Sequence, residues 1–349
     1  MNNKLVVKLA GVGIFLFFTA YAQAQPVSGG QEQSPKVAEI KSFLQQYDPT
    51  DISTNNTEEL KAALTKLKTM YGEVAGEESA IPATRKANLM KIYTNKDSDL
   101  MRYFAYSQMT TWDGEGVDTA LGMDKKERIE LMKQGLVDTD PRIRIWTVVL
   151  LNAYNQKFTM SEEEYEEYYG QKKNIDDLDK EVQVLFNTAK QDNPVIRRFL
   201  AYPEKFQGKE NLDEREYYSE VLKDPDAGIR FITLSGILMN RLGASIVDLP
   251  IFSAVVEAAN DQDVLIRLVS LVALSAENKF KDRESKIFSE SLESFFKEIK
   301  EPDLLYYFSG RSVPIEAIPD KEVLTRIFIN SSVVKRAILC SLLRKSIGQ

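Results

Sequence analysis

The chain has 349 residues, of which 45 are basic, 52 are acidic and 43% are hydrophobic, and its formal net charge is −7. It contains no histidine and one cysteine, which excludes histidine-based catalysis, imidazole metal sites, intrachain disulfide bonds and thiolate zinc clusters. The acidic balance disfavours nucleic acid and anionic lipid as partners. The chemistry that remains open is that of carboxylate, serine or lysine side chains.

The first residues have the pattern of a cleaved export signal. Lys4 and Lys8 precede an apolar stretch from Leu9 to Ala22, which is shorter than the roughly 20 residues that cross a bilayer. The segment that ends at Ala24 fits the small-x-small rule, so residues 1–24 are predicted to be a signal peptide. No later segment is long and apolar enough to be a transmembrane segment. The mature protein is therefore expected in the periplasm or outside the cell.

The next residues are predicted to lead into an all-α domain. Residues 25–36 are rich in Gly, Pro, Ser and Gln, which is typical of a flexible tether. Residues 37–80 are predicted to form N-terminal helices that cap a repeat domain over residues 81–349. Within 57–71, leucines and a tyrosine recur at helical spacing on one face. Alternating strand patterns bounded by turn residues are nearly absent, which favours the all-α class.

A short motif recurs along the repeat domain. Four segments read Asp/Asn-x-x-Ile-Arg, and each opens an apolar run. The acid or amide is a preferred helix N-cap, the isoleucine is expected to face the core, and a more amphipathic helix precedes the cap. The motif arginines are spaced by about 40 residues on average, the period of a two-helix repeat. The paired positions are Asp140 with Arg144, Asn193 with Arg197, Asp226 with Arg230, and Asp263 with Arg267.

This pattern resembles the HEAT and HEAT-like α-solenoid family over roughly residues 81–345. The resemblance implies a solenoid of about six or seven antiparallel helix pairs. It also implies a ladder of hydrogen bonds between neighbouring repeats, in which the turn acids and amide pair with the motif arginines. These rungs would be Asp140, Asn193, Asp226 and Asp263 on one side and Arg144, Arg197, Arg230 and Arg267 on the other. The long spacing between Arg144 and Arg197 predicts an irregular middle repeat.

That long spacing holds an acidic insertion at residues 161–181, with nine acidic and three basic side chains. Ser161 is expected to cap a helix whose first turn is acidic. A run of charge like this one usually forms a solvated outer helix with its loop, and the functional interpretation is an acidic, tyrosine-rich surface that docks a basic partner. The carboxylates at 176–179 lack the spacing of a calcium-binding loop. The predicted docking residues are Glu163, Glu164, Tyr165, Tyr168 and Tyr169.

The C-terminal helix, residues 333–347, is predicted to cap the repeats with one polar face. Its Cys340 is surrounded by aliphatic residues in sequence, so a buried and inert thiol is expected. The alternative for this helix is a membrane-surface or partner-binding role.

No phosphate-binding, serine-hydrolase or zinc motif occurs, so no catalytic, cofactor-binding or metal-binding residues are predicted and no cofactor is expected. Solenoids present extended surfaces that suit protein partners. The sequence thus predicts a non-catalytic, exported protein–protein interaction scaffold within a bacterial cell envelope or an extracytoplasmic assembly. The alternative is an all-helical (α/α toroid) glycan-active hydrolase or lyase that uses paired carboxylates.

Overall fold

The computed structural model describes residues 35–47, 82–110, 123–170, 172–206, 214–239, 251–275, 282–308 and 318–347. Within these ranges the chain forms sixteen α-helices and no strand, which confirms the all-α class. The predicted signal peptide and nearly all of the predicted tether lie outside the described residues, as do residues 48–81. The helices are α1 Pro35–Gln46, α2 Pro82–Thr94, α3 Asp99–Thr110, α4 Lys125–Leu136, α5 Pro141–Thr159, α6 Glu162–Tyr169, α7 Asp177–Asp192, α8 Pro194–Phe206, α9 Glu214–Val221, α10 Ala227–Met239, α11 Phe252–Ala258, α12 Val264–Ser275, α13 Asp282–Glu298, α14 Glu301–Phe308, α15 Lys321–Ile329 and α16 Val333–Ser346.

The helices fall into two compact units. The first contains α2 and the described helices of Arg102–Gly236. The second contains α1, residues Asn95–Met101 and the described helices of Ile237–Gln349.

In the first unit, α5 is the central helix. It packs against α4 and α7, and its apolar run is buried on nearly every side, from Ile143 to Tyr154. Trp146 of α5 stands edge-on to Tyr103 of α3, and Tyr103 in turn stands edge-on to Phe231 of α10, with ring centroids 6.3 and 5.2 Å apart. Such edge-to-face contacts suit the charge distribution of aromatic rings.

In the second unit, α13 contacts three other described helices. The helix α13 packs against α11, α12 and α15, while α14 packs against α16. The helix α1, which the sequence predicted as part of an N-terminal cap, packs against α15 and α16, the last pair of the chain. Its apolar face is buried there through Val37, Ile40, Phe43 and Leu44. Cys340 of α16 is buried as predicted.

The recurring turn and a candidate binding surface

All four motif acids and amides cap the helix that follows them, as the sequence predicted. In each case the side-chain Oδ1 accepts a hydrogen bond from the backbone amide two residues further on, at 2.8 to 2.9 Å. These bonds satisfy amides that have no partner inside the helix. The donors are the amides of Arg142, Val195, Gly228 and Leu265, bound to Asp140, Asn193, Asp226 and Asp263 in that order.

Each motif arginine folds back over its own turn. Its Nη1 donates to the carbonyl oxygen six residues earlier, near the end of the preceding helix. The distances are 2.7 Å for Arg144, 2.6 Å for Arg230 and 2.9 Å for Arg267, and Arg197 makes the equivalent bond to Gln191. A positive charge is favourable at the C-terminal end of a helix, where carbonyl groups lack partners. The guanidinium therefore links the end of one helix to the beginning of the next.

Two of the motif arginines also reach an acid outside their own turn. Arg267 donates to the carboxylate of Glu298 at the end of α13, and Arg144 lies 3.7 Å from the carboxylate of Asp226. Among the described interactions these are the contacts closest to the predicted ladder of motif residues. The remaining rungs of that ladder stay a prediction.

A second acid in the turn was not singled out from the sequence. Asp138, Asp224 and Asp261 stand two residues before a cap, and each carboxylate accepts the amide of the cap residue at 2.7 to 2.8 Å. Three of the four motifs therefore read Asp-x-Asp-x-x-Ile-Arg, whereas the motif of Asn193 has Gln191 at this position. The sequence shows this second acid through the recurrence of an aspartate two residues before three of the four caps.

At two of these turns, the second acid binds a basic side chain from another helix. Arg198 of α8 binds both oxygens of Asp224, with its Nε at 2.5 Å and its Nη2 at 2.8 Å, and the hydroxyl of Tyr202 donates to the same carboxylate at 2.8 Å. The neighbouring residue Arg197, which the sequence motif selected, stays in its own turn. The arginine that binds Asp224 from another helix is thus Arg198, the residue next to the motif arginine Arg197.

The turn at Asp138 repeats the same arrangement. Arg102 of α3 donates through Nη2 to both carboxylate oxygens at 3.0 and 2.9 Å, and the hydroxyl of Tyr93 donates at 3.0 Å. Both members of the ion pair are largely buried. An acid that binds an arginine and a tyrosine therefore occurs in two turns of the first unit.

The electrostatics of Asp224 fit a structural role. Burial alone would raise the pKa of its carboxyl, but the hydrogen bonds from Arg198, the amide of Asp226 and Tyr202 outweigh burial and lower the pKa. Burial, together with the bond to this carboxylate, raises the pKa of Tyr202 to about 12. Asp224 is therefore held as a carboxylate and Tyr202 as a neutral phenol near neutral pH.

The acidic helix α6 presents most of its glutamates to water. Glu162, Glu163, Glu166 and Glu167 are exposed. Glu164 is exposed as well, and its carboxylate accepts the amide of Ser161 while the Ser161 hydroxyl accepts the amide of Glu164, which forms a capping box. Negative side chains in the first turn also suit the helix dipole. The helix ends at Gly170, whose φ of 69° is left-handed.

The described tyrosine of α6 is buried, unlike the glutamates of this helix. Tyr165 is 6% exposed, so its ring lies in the interior and does not line the exposed face. The side chains of Tyr168 and Tyr169 lie outside the described residues. Of the five predicted docking residues, Glu163 and Glu164 are thus the two with a described exposed side chain.

The carboxylates that follow α6 are engaged by a lysine. The ammonium of Lys125 lies 2.8 Å from Asp176 and 2.6 Å from Asp179. Asp176 also caps α7 in a second capping box with Asp179. Hydrogen bonding from Lys125 is the main reason that the pKa of Asp176 is lowered. The carboxylates of Asp176 and Asp179 therefore bind Lys125 and cap α7.

A buried acid in the second unit caps α3 from a distance. The Oδ1 of Asp303 accepts the amide of Leu100 at 3.1 Å and the hydroxyl of Ser98. Ser98 in turn accepts the amide of Met101 at 3.0 Å. Burial raises the pKa of Asp303 to about 6, although both of its hydrogen bonds lower it. A carboxyl with a raised pKa is a feature of catalytic acids, but here both bonding partners belong to a helix start.

Among the described residues, no helix is long and apolar enough to cross a membrane. The same part of the chain contains no group of three or more Cys, Asp or Glu side chains that could hold a metal ion. Comparison of the sequence with protein-family models, with curated proteins and with solved structures finds no match. The candidate functional surface is accordingly defined by chemistry alone, as the exposed glutamates of α6.

Proposed function

We propose that the chain is an exported, non-catalytic protein–protein interaction scaffold that works within a bacterial cell envelope or an extracytoplasmic assembly. In this proposal HEAT-like helix pairs form the framework, and the exposed glutamates of α6 bind a protein partner that presents lysine or arginine side chains. The export signal predicted from residues 1–24 supplies the compartment.

The observation that carries the proposal is that the recurring aspartates form hydrogen bonds within the fold. A residue type that repeats in every turn and closes that turn with hydrogen bonds is explained by the framework. Asp140, Asp226 and Asp263 bind helix amides, and Asp224 binds Arg198 and Tyr202. These groups are occupied by structural bonds, and the exposed glutamates of α6 are the most distinctive described feature that is accessible for recognition.

The helix α6 suits a polar interface. It carries five glutamates and no basic residue. Its fold is secured by the capping box and by the buried ring of Tyr165, so the exposed carboxylates are displayed on an ordered element. Complementary charge across an interface speeds association and selects the partner.

Substitution of four glutamates tests the proposal without removing the helix. The variant Glu162→Gln, Glu163→Gln, Glu166→Gln, Glu167→Gln keeps Glu164 and Tyr165, and hence the capping box and the packing. Wild type and variant would be immobilised and exposed to an envelope extract from the source bacterium. We expect wild type to retain a defined protein partner and the variant to lose it, with an unchanged circular dichroism spectrum.

A matched control changes the same number of exposed carboxylates elsewhere. It replaces Asp177 and Asp192 with Asn, and Glu290 and Glu322 with Gln, all of which are exposed. This control is expected to retain the partner. Retention of the same partner by the α6 variant, or its loss from both variants alike, contradicts a specific role for α6.

A further inference from the structure

The first described helix contacts the last two across nearly the whole length of the chain. The ring of Phe43 in α1 stands edge-on to Phe328 in α15, with centroids 5.9 Å apart. The ring of Tyr47 lies 4.9 Å from those of both Phe43 and Phe328. The carbonyl oxygen of Tyr47 lies 3.8 Å from the sulfur of Cys340 in α16. Phe43 of α1 therefore packs on Phe328, and Tyr47, the residue that follows α1, contacts both Phe328 and Cys340.

Hydrogen bonds also join α1 to the residues at the start of α15. The ammonium of Lys36 donates to the carbonyl of Pro319 at 2.9 Å, and the carboxylate of Glu39 accepts the amide of Lys321, the first residue of α15. The ammonium of Lys321 donates to Ser42 at 3.3 Å. These bonds are exposed or only partly buried, so water can replace them at modest cost.

The last helix pair has supports that do not involve α1. The helix α15 is capped by Asp320 and packs against α13, while α16 packs against α14 and α15. Lys335 of α16 extends its ammonium to the carbonyl of Phe296 in α13, at 2.6 Å. Loss of α1 would leave all of these contacts in place.

The helix α1 has little stability of its own. It is 12 residues long, and helices of this length are marginal in water without tertiary contacts. Segments of this kind open locally at a lower free energy than the rest of a protein. From these contacts we infer that α1 is a releasable strap, which detaches as a unit from the otherwise folded second unit and uncovers Phe328 and Cys340. This inference is independent of the function proposed for α6.

The only cysteine of the chain is a reporter for this opening. The labelling rate of the Cys340 thiol by a thiol-reactive reagent would be measured in the mature full-length protein under native conditions. The variant Phe43→Ala removes the ring that packs on Phe328, and it is expected to accelerate labelling by at least about tenfold. The midpoint of global urea unfolding should shift much less than in the control variant described next.

The matched control is Phe295→Ala, which removes a fully buried ring from α13 in the same unit. Because this ring supports the body of the unit, its loss should lower the midpoint of global unfolding without a selective acceleration of Cys340 labelling. Equal acceleration in both variants, or labelling of wild type that follows global unfolding alone, overturns the inference.

Amide hydrogen exchange of the wild-type protein provides a second test, which does not depend on the folding of a variant. The inference requires amides of residues 39–47 to exchange well before those of residues 335–343, because the former are released with the strap and the latter remain in α16. Simultaneous exchange of the two segments also overturns it.

Discussion

At the scale of single residues, three of the four recurring turns depend on an acid two residues before the cap. The four caps could be predicted, because they depend on residues close in sequence. The resemblance implied that the motif arginines pair between repeats, so their bonds to carbonyl groups of their own turns were not predicted. The binding of Asp224 by Arg198, the neighbour of Arg197, was not predicted either. Adjacent helical residues point about 100° apart, and the packing of α8 decides which of them meets Asp224.

Substitution of these two neighbours separates their roles. Arg198→Ala leaves the carboxylate of Asp224, whose side chain is 0% exposed, without its ion-pair partner. We expect a loss of about 2–3 kcal/mol in the free energy of unfolding, at the low end for a buried pair because Arg198 is itself 37% exposed. Arg197→Ala removes only bonds to exposed carbonyls and should cost about 1 kcal/mol. Urea unfolding measures both, and equal losses would contradict the assignment of Arg198.

Asp303 predicts a dependence of stability on pH. Its pKa of about 6 in the fold exceeds the ordinary value of 3.8 for this carboxyl, so the folded state holds more protons than the unfolded state between these pH values. Its contribution is therefore fully present below about pH 4 and is lost as the pH rises through 6, by roughly 2–3 kcal/mol. Asp99 and Lys300, paired at 2.9 Å, are the charged groups that act on it.

The variant Asp303→Asn isolates this contribution. The amide oxygen can accept the bonds from Ser98 and Leu100 without a buried charge. The variant should gain stability relative to wild type as the pH rises from 4 to 7, as measured by urea unfolding at each pH. A constant difference between the two proteins over this range would show that Asp303 does not titrate with a raised pKa.

At the scale of elements, helix class and the buried position of Cys340 followed from apolar periodicity. The partner of α1 did not, since periodicity identifies an apolar face but not the distant surface that covers it. The same holds for Tyr165, one of the predicted docking residues, because helical spacing also allowed its ring to pack inward, where the structure has it.

The helices α10 and α5 lie so close together that adding a methyl group at Gly228 is expected to destabilise the fold. A Cβ on Gly228 of α10 would collide with the carbonyl group of Pro141 at the start of α5, and a backbone group cannot move aside. Gly228→Ala should therefore destabilise the protein by about 2 kcal/mol or more in thermal or urea unfolding. Gly170→Ala, where a Cβ meets nothing within 4 Å and only the positive φ is unfavourable, should cost about 1 kcal/mol. A larger loss at Gly170 would contradict the predicted clash.

At the scale of the whole molecule, composition set useful limits. The absence of histidine excluded several mechanisms, and the structure then accounts for many of the remaining charged groups by caps, turns and ion pairs. The proposed scaffold follows from this use of charge together with the exposed glutamates of α6.

The most direct test of this account is the salt dependence of binding. The dissociation constant of the captured partner would be measured for wild type and for the variant with four α6 glutamates replaced, at about 50 and 300 mM NaCl, across which screening of exposed charges increases strongly. The account predicts that wild type binds much more tightly at low salt and that the variant binds weakly with little salt dependence. Equal affinities and equal salt dependence for the two proteins would contradict it.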